Sequence, residues 1–257
     1  MLMACGAPPV AGDTVVIPAG QTVLLGVSPP EVYLVLVQGS LIFDRVDLTL
    51  DASYIFVTGA LQVGTEAEPF LQRAIITLHG SPVSAEIPLY GAKNIGCRGC
   101  TLDLHGAPVA RPWPYLARTA ERMHSQLRLT EAVDWEVGSQ IVVTSTAASG
   151  SMEEAEQHQV AGLSNGGTTV HLVRPMEHAH LGETRHLEDG TPIPLRANVG
   201  LLSRNVVVQG ASPLSQADQY GVHILLHSKG DESLVGRIEH LAARNARAST
   251  PVATISS

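Results

Sequence analysis

The sequence is short of charge, of aromatic rings and of lysine, and each shortage excludes something. Charged residues make up 16% of its 257 residues and aromatic ones 4%. A typical soluble domain carries about 25% charged residues. With so few rings the core must be aliphatic, the palette of buried parallel sheets. Lysine occurs only at Lys93 and Lys229, and the formal net charge is −8. Such a surface repels nucleic acid and anionic lipid, so no nucleic-acid partner is expected. No apolar run approaches the roughly 20 residues that a bilayer requires, so no membrane span is expected. The opening MLMACGAPPVAGD is broken by prolines too early for a signal peptide. Cys97 and Cys100 form a single Cys-x-x-Cys without a second pair, and the expectation is two ordinary thiols in a loop. None of the five asparagines begins a glycosylation sequon. No phosphate loop or nucleophile elbow is present, and no cofactor is expected.

What the sequence does have is repetition. An apolar residue, one spacer and a glycine recur at V-Q-Gly39, V-T-Gly59, L-H-Gly80 and L-H-Gly106, spaced 20, 21 and 26 residues apart, and again at V-Q-Gly210. Such periods fit one turn of a β-solenoid, in which each turn buries its apolar face against the next. Glycine suits the corners, where φ must be unrestricted. The expected fold is all-β, a right-handed parallel β-helix with few short helices. A β-sandwich of hairpins is the alternative. The echo between AGDTVVI (11–17) and VGSQIVV (137–143) suggests that two stacks begin alike. Residues 114–124 and 151–160 read as short helices, the second with Ser151 as N-cap. The expected organisation is a first domain at 1–116, a linker with a short helix at 117–133, and the start of a second parallel β-helix at 134–257.

Chemistry is sparse. His178 and His180 alternate, so on a strand they share a face. Histidine pairs at that spacing suit zinc, but no Cys or carboxylate stands at a matching offset, and packed histidines are the expected reading, with no metal. Polysaccharide cleavage uses paired carboxylates, and here the aspartates are scattered as turn formers. Arg237 and Glu239 share a strand face, either as an ion pair between neighbouring turns or as a sugar contact. Trp113, Tyr115 and Trp135 are candidates for stacking against sugars, or for packing at the domain junction.

The stretches AGDTVVIPAGQTVLL, LVLVQGSLIF, LTLDASYIFVTGALQVGTEAEPF, AIITLHG, YGAKNIG and LDLHGAPVARPWPYL resemble, in order, the eight-glycine domain family. Its members include fibrocystin, fibrocystin-like proteins, a hyaluronan-binding protein of cell migration and a cell-surface hyaluronidase. The resemblance assigns the family's structural glycines to Gly12, Gly20, Gly39, Gly59, Gly64, Gly80, Gly91 and Gly106. VDWEVGSQIVVTST, HAHLGE, NVVVQG and GRIEHL resemble the parallel β-helix that follows this domain in the same proteins. The short stretch between Trp113 and Trp135 is closer to fibrocystin-like members than to the hyaluronidases. The resemblance implies an extracellular or cell-surface, pectin-lyase-like module. Its expected role is non-catalytic, with glycan or extracellular protein partners, self-assembly, or a further chain covering the open C-terminal end. The alternative is a depolymerase of hyaluronan-type polysaccharide.

Overall fold

The structure, a computed structural model, describes residues 8–147 and 151–244. Residues 1–7 and 245–257, and the Ser151 side chain expected as an N-cap, lie outside that description. Among the described residues the chain is nearly all-β, with one α-helix of four residues, Leu214–Ala217 (α1). It divides into two compact units, residues 1–108 with 204–257, and residues 109–203.

The first nine strands explain the repeats. They are β1 (Thr14–Ile17), β2 (Thr22–Leu25), β3 (Val32–Val37), β4 (Ser40–Phe43), β5 (Leu48–Val57), β6 (Ala60–Val63), β7 (Ala74–Leu78), β8 (Asn94–Arg98) and β9 (Thr101–His105). From β1 to β7 successive strands alternate between two sheets, and every pairing among the nine is parallel. Each of the first three tiers is one strand in each sheet, set directly on the tier before, whereas the fourth has β7 and β8 in one sheet and β9 in the other. Ile17, Val37, Val57 and Cys97 therefore stand in register in one sheet. Val23, Leu41, Leu61 and Leu102 do so in the other. These columns form the aliphatic core of the first unit. Fully burying one such side chain contributes about 1.5–3 kcal/mol.

The corners decide how closely the tiers approach. A Cβ on Gly39 would stand 2.1 Å from the Gln21 carbonyl oxygen, and one on Gly59 would stand 1.9 Å from that of Gly39. The following amides, Ser40 and Ala60, donate to those same oxygens at 2.8 Å. A side chain at either corner would thus lie where the tier-to-tier hydrogen bond runs. Gly106 is held likewise, 2.4 Å from the His240 carbonyl oxygen, whereas Gly12, Gly20, Gly64, Gly80 and Gly91 have positive φ.

In the fourth tier the corner is Cys97-Arg98-Gly99-Cys100. Cys97 takes the place of Val57 in its column, and the two cysteines form a disulfide. This corrects the expectation of loop thiols. Both are buried in the apolar column, where two sulfurs serve as well as a valine. Closing so short a loop restricts the unfolded chain by about 2 kcal/mol. Reduction is expected to lower the stability of the first unit by that amount, read as a shift of the urea midpoint with and without reductant.

Seven strands follow: β10 (Gln126–Arg128), β11 (Gln140–Val143), β12 (Glu156–Ser164), β13 (Thr169–Leu172), β14 (Gly182–His186), β15 (Pro192–Arg196) and β16 (Val199–Leu201). They build the second unit, and all their pairings are antiparallel. The echo of AGDTVVI by VGSQIVV holds locally, since Gly12 and Gly138 both turn with positive φ before a strand. It does not extend to partner direction, because β1 pairs parallel and β11 antiparallel. Residues 114–124 form no helix; Tyr115, Leu116 and Ala120 make isolated antiparallel bridges. The Glu156-x-His158-x-Val160 alternation buries those three on one strand face, so the expected helix at 151–160 is reduced to a 3-10 turn, Ser151–Glu154.

The last four strands return to the first unit: β17 (Val206–Gly210), β18 (His223–His227), β19 (Val235–Glu239) and β20 (Leu241–Arg244). β17, β18 and β19 pair parallel with β7, β8 and β9, and β20 with β17. The contact division thus falls at 108/109 and 203/204, where the sequence suggested 116/117 and 133/134. Residues 109–203 interrupt the chain between the fourth and fifth tiers.

Candidate functional site

The histidines organise the core polar cluster of the second unit. β12 carries Glu156 and His158 inward, and the segment after β13 brings His180 beside them. Glu156 Oε2 accepts from the Glu177 amide at 2.7 Å and from His158 Nε2 at 3.0 Å. Its Oε1 accepts from the His178 amide at 2.7 Å and from His180 Nε2 at 3.0 Å. His180 is fully buried, and its Nδ1 meets the Thr144 carbonyl oxygen at 2.9 Å. Burial raises the pKa of the Glu156 carboxyl, but the four hydrogen bonds outweigh it and hold the pKa down at about 2. His178 contributes its backbone, while its ring stays partly exposed. The pair named from the sequence is thus split, and Glu156, which joins them, went unnoticed. Its signal was the Glu156-x-His158 alternation on an otherwise apolar strand face.

The aromatic candidates lie in the same unit but in different settings. Trp135 is buried in the core, and its Nε1 donates to the Arg111 carbonyl oxygen at 3.2 Å. Trp113 is half-exposed and lies over Gly200 of β16, where a Cβ would stand 2.0 Å from the indole. Tyr115 is half-exposed, and its carbonyl oxygen accepts from Thr130.

Arg237 and Glu239 lie on β19 of the first unit, beside β9. Arg237 Nη1 meets Asp103 Oδ1 at 3.1 Å, and Glu239 Oε2 lies 3.5 Å from His105 Nδ1. His105 Nε2 lies 3.7 Å from Asp103 Oδ1. Each partner is therefore across the strand pairing, Asp103↔Arg237 and His105↔Glu239. His105 is buried, and neither ring nitrogen makes a hydrogen bond among the described residues.

Buried Lys93 ties the loops of the first unit together. Its Nζ donates to the Tyr220 carbonyl oxygen at 3.0 Å and contacts Ser215 Oγ. Burial lowers its pKa. Among the described residues no group of three His, Cys, Asp or Glu side chains is placed to hold a metal ion.

Residues 4–117 match the G8 domain family. The chain is 38% identical to fibrocystin-L of Mus musculus over a gapped alignment of 270 positions that covers 91% of the chain and 6% of that protein. It is 45% identical to fibrocystin-L of Homo sapiens over 207 residues, 79% of the chain and 5% of that protein. To fibrocystin of Mus musculus it is 33% identical over 203 residues, 77% of the chain and 5% of that protein. The chain therefore spans only 5–6% of the length of these relatives. The parallel tiers closed by Gly39 and Gly59 lie within residues 4–117, the part of the chain that matches the G8 domain family.

Proposed function

We propose that the chain is a non-catalytic extracellular or cell-surface module that presents surfaces to glycan or protein partners. The observation that carries this reading is the state of three buried or partly buried carboxylates. Glu156 is occupied by four donors, Asp103 by Arg237 and Asp51 by His79 at 3.2 Å. A glycosidase acid or base must instead face its substrate. The buried disulfide supports an oxidising compartment, and the similarity to fibrocystin-L supports the cell surface.

The first unit is, on this reading, a right-handed parallel β-helix. Strands alternating between two parallel sheets, with glycine corners stacked tier on tier, support it. Parallel crossovers are right-handed in about 98% of cases. At its C-terminal end Leu226 and Ile238 stand in register with buried Cys97 and Leu104 yet are 44% and 41% exposed. That favours self-assembly or a further stretch of chain against this end.

One observation favours a second reading, a depolymerase of hyaluronan-type polysaccharide. Asp103, His105 and Glu239 converge on adjacent strands, two carboxylates flanking one ring. Incubation with size-defined hyaluronan, with and without calcium, separates the two. An unchanged ladder on a gel is expected, and shortened chains would overturn the module reading.

A further inference from the structure

The second unit contains a polar cleft of about 520 Å³ that none of the assigned residues accounts for. It is lined by residues of the segment 117–124, of β10 and of β14. Its backbone is closely fixed. The Ala117 amide donates to the Arg128 carbonyl oxygen at 2.8 Å, and the Gly182 amide donates to Thr119 Oγ1 at 3.2 Å. A Cβ on Gly182 would stand 2.3 Å from the Arg118 backbone, so only glycine lets β14 come this close.

Two arginines and two glutamates line the cleft. Arg118, Arg128 and His124 all line it. Among the described residues neither guanidinium has a hydrogen bond or an ion pair. Of the two carboxylates, Glu183 is paired with Arg185 at 2.8 Å, which leaves Glu121 alone. Guanidinium forks match oxyanions in a bidentate manner. Gln126, Thr119 and Glu121 supply the neutral donors and the acceptors that sugar hydroxyls require.

We propose that this cleft binds a sulfated disaccharide unit of a surface polysaccharide, with Arg118 and Arg128 each taking one anionic group. The proposal rests on the module reading above and names a ligand class for it. Two unpaired guanidiniums on one cleft ask for two anionic groups on its ligand. A polymer with one carboxylate per disaccharide satisfies only one of them and meets Glu121 besides.

The test is calorimetric titration of the full chain with tetrasaccharides of chondroitin sulfate, of the same glycan desulfated, of hyaluronan and of neutral dextran. The sulfated probe is expected to bind at least tenfold more tightly than the others. Arg118→Ala with Arg128→Ala should weaken it at least about tenfold, two charge-assisted contacts being lost. Glu121→Gln should tighten it about two- to threefold at low salt, a gain that misfolding cannot produce. Equal binding by the arginine variant, equal binding of hyaluronan, or no binding by any probe would overturn the site. In the first two cases the module reading survives, whereas cleavage of hyaluronan would remove the module reading itself.

Discussion

Gly59→Ala is expected to destabilise the first unit by about 3 kcal/mol, at the upper end of what overpacking costs. The new methyl carbon would stand 1.9 Å from the Gly39 carbonyl oxygen and 2.4 Å from that of Gln38. Both are backbone atoms, so no side chain can turn aside. The third tier must lift from the second, and the Ala60 amide then loses its bond to Gly39. A loss of that size lowers the melting temperature by about 10 °C in a chain of this length. Gly20→Ala is the control. It has φ of +80° with open space around it, and strain alone costs about 1–2 kcal/mol. Both tryptophans, Trp113 and Trp135, belong to the second unit. Their fluorescence should therefore report an unchanged transition while the circular-dichroism transition moves. Equal effects of the two substitutions would refute stacking as the reason for glycine at 59.

Glu156→Gln is expected to cost the second unit about 3–5 kcal/mol, the usual result of breaking a buried charged network from one side. The amide nitrogen cannot accept, so two of the four donors that meet Glu156 lose their acceptor. The pH dependence has a definite sign. The carboxyl falls from its ordinary 4.5 to about 2 on folding. Its contribution, about 3 kcal/mol, is complete above pH 4.5 and is lost as the pH falls towards 2. Tryptophan-detected urea unfolding between pH 6 and 2 should show the native chain losing stability over that range. The variant should lose correspondingly less, and parallel curves for the two would remove Glu156 as the cause.

The repeat was legible because Gly39 and Gly59 close corners of equal length, so like residues fall on like in sequence and in space. It became illegible where the fourth tier takes on a loop. In the third tier β5 is one unbroken strand, but its two partners, β7 and β8, are separated by residues 79–93. L-H-Gly80 therefore marks where the chain leaves the sheet. The true equivalent of Gly59 is the Cys97–Cys100 corner, since Ala60 pairs with Thr101. The antiparallel second unit was hidden for another reason. Alternation in Gln140–Val143 specifies a strand and its inward face, but not the direction of its neighbours. The Glu156 network lay hidden because three of its four donors come from sequence positions more than 20 residues away, and two of these are backbone amides.

Thr101 and Val235, neighbours across β9 and β19, are far apart along the chain. At about 5–20 residues per second a ribosome takes many seconds to deliver the partner of β9 after β9 itself has emerged. Through that interval the nascent protein presents an unfinished strand edge with Leu102 and Leu104 behind it. Chaperone occupancy during synthesis should therefore peak after residue 105 and fall once residue 239 has left the exit tunnel.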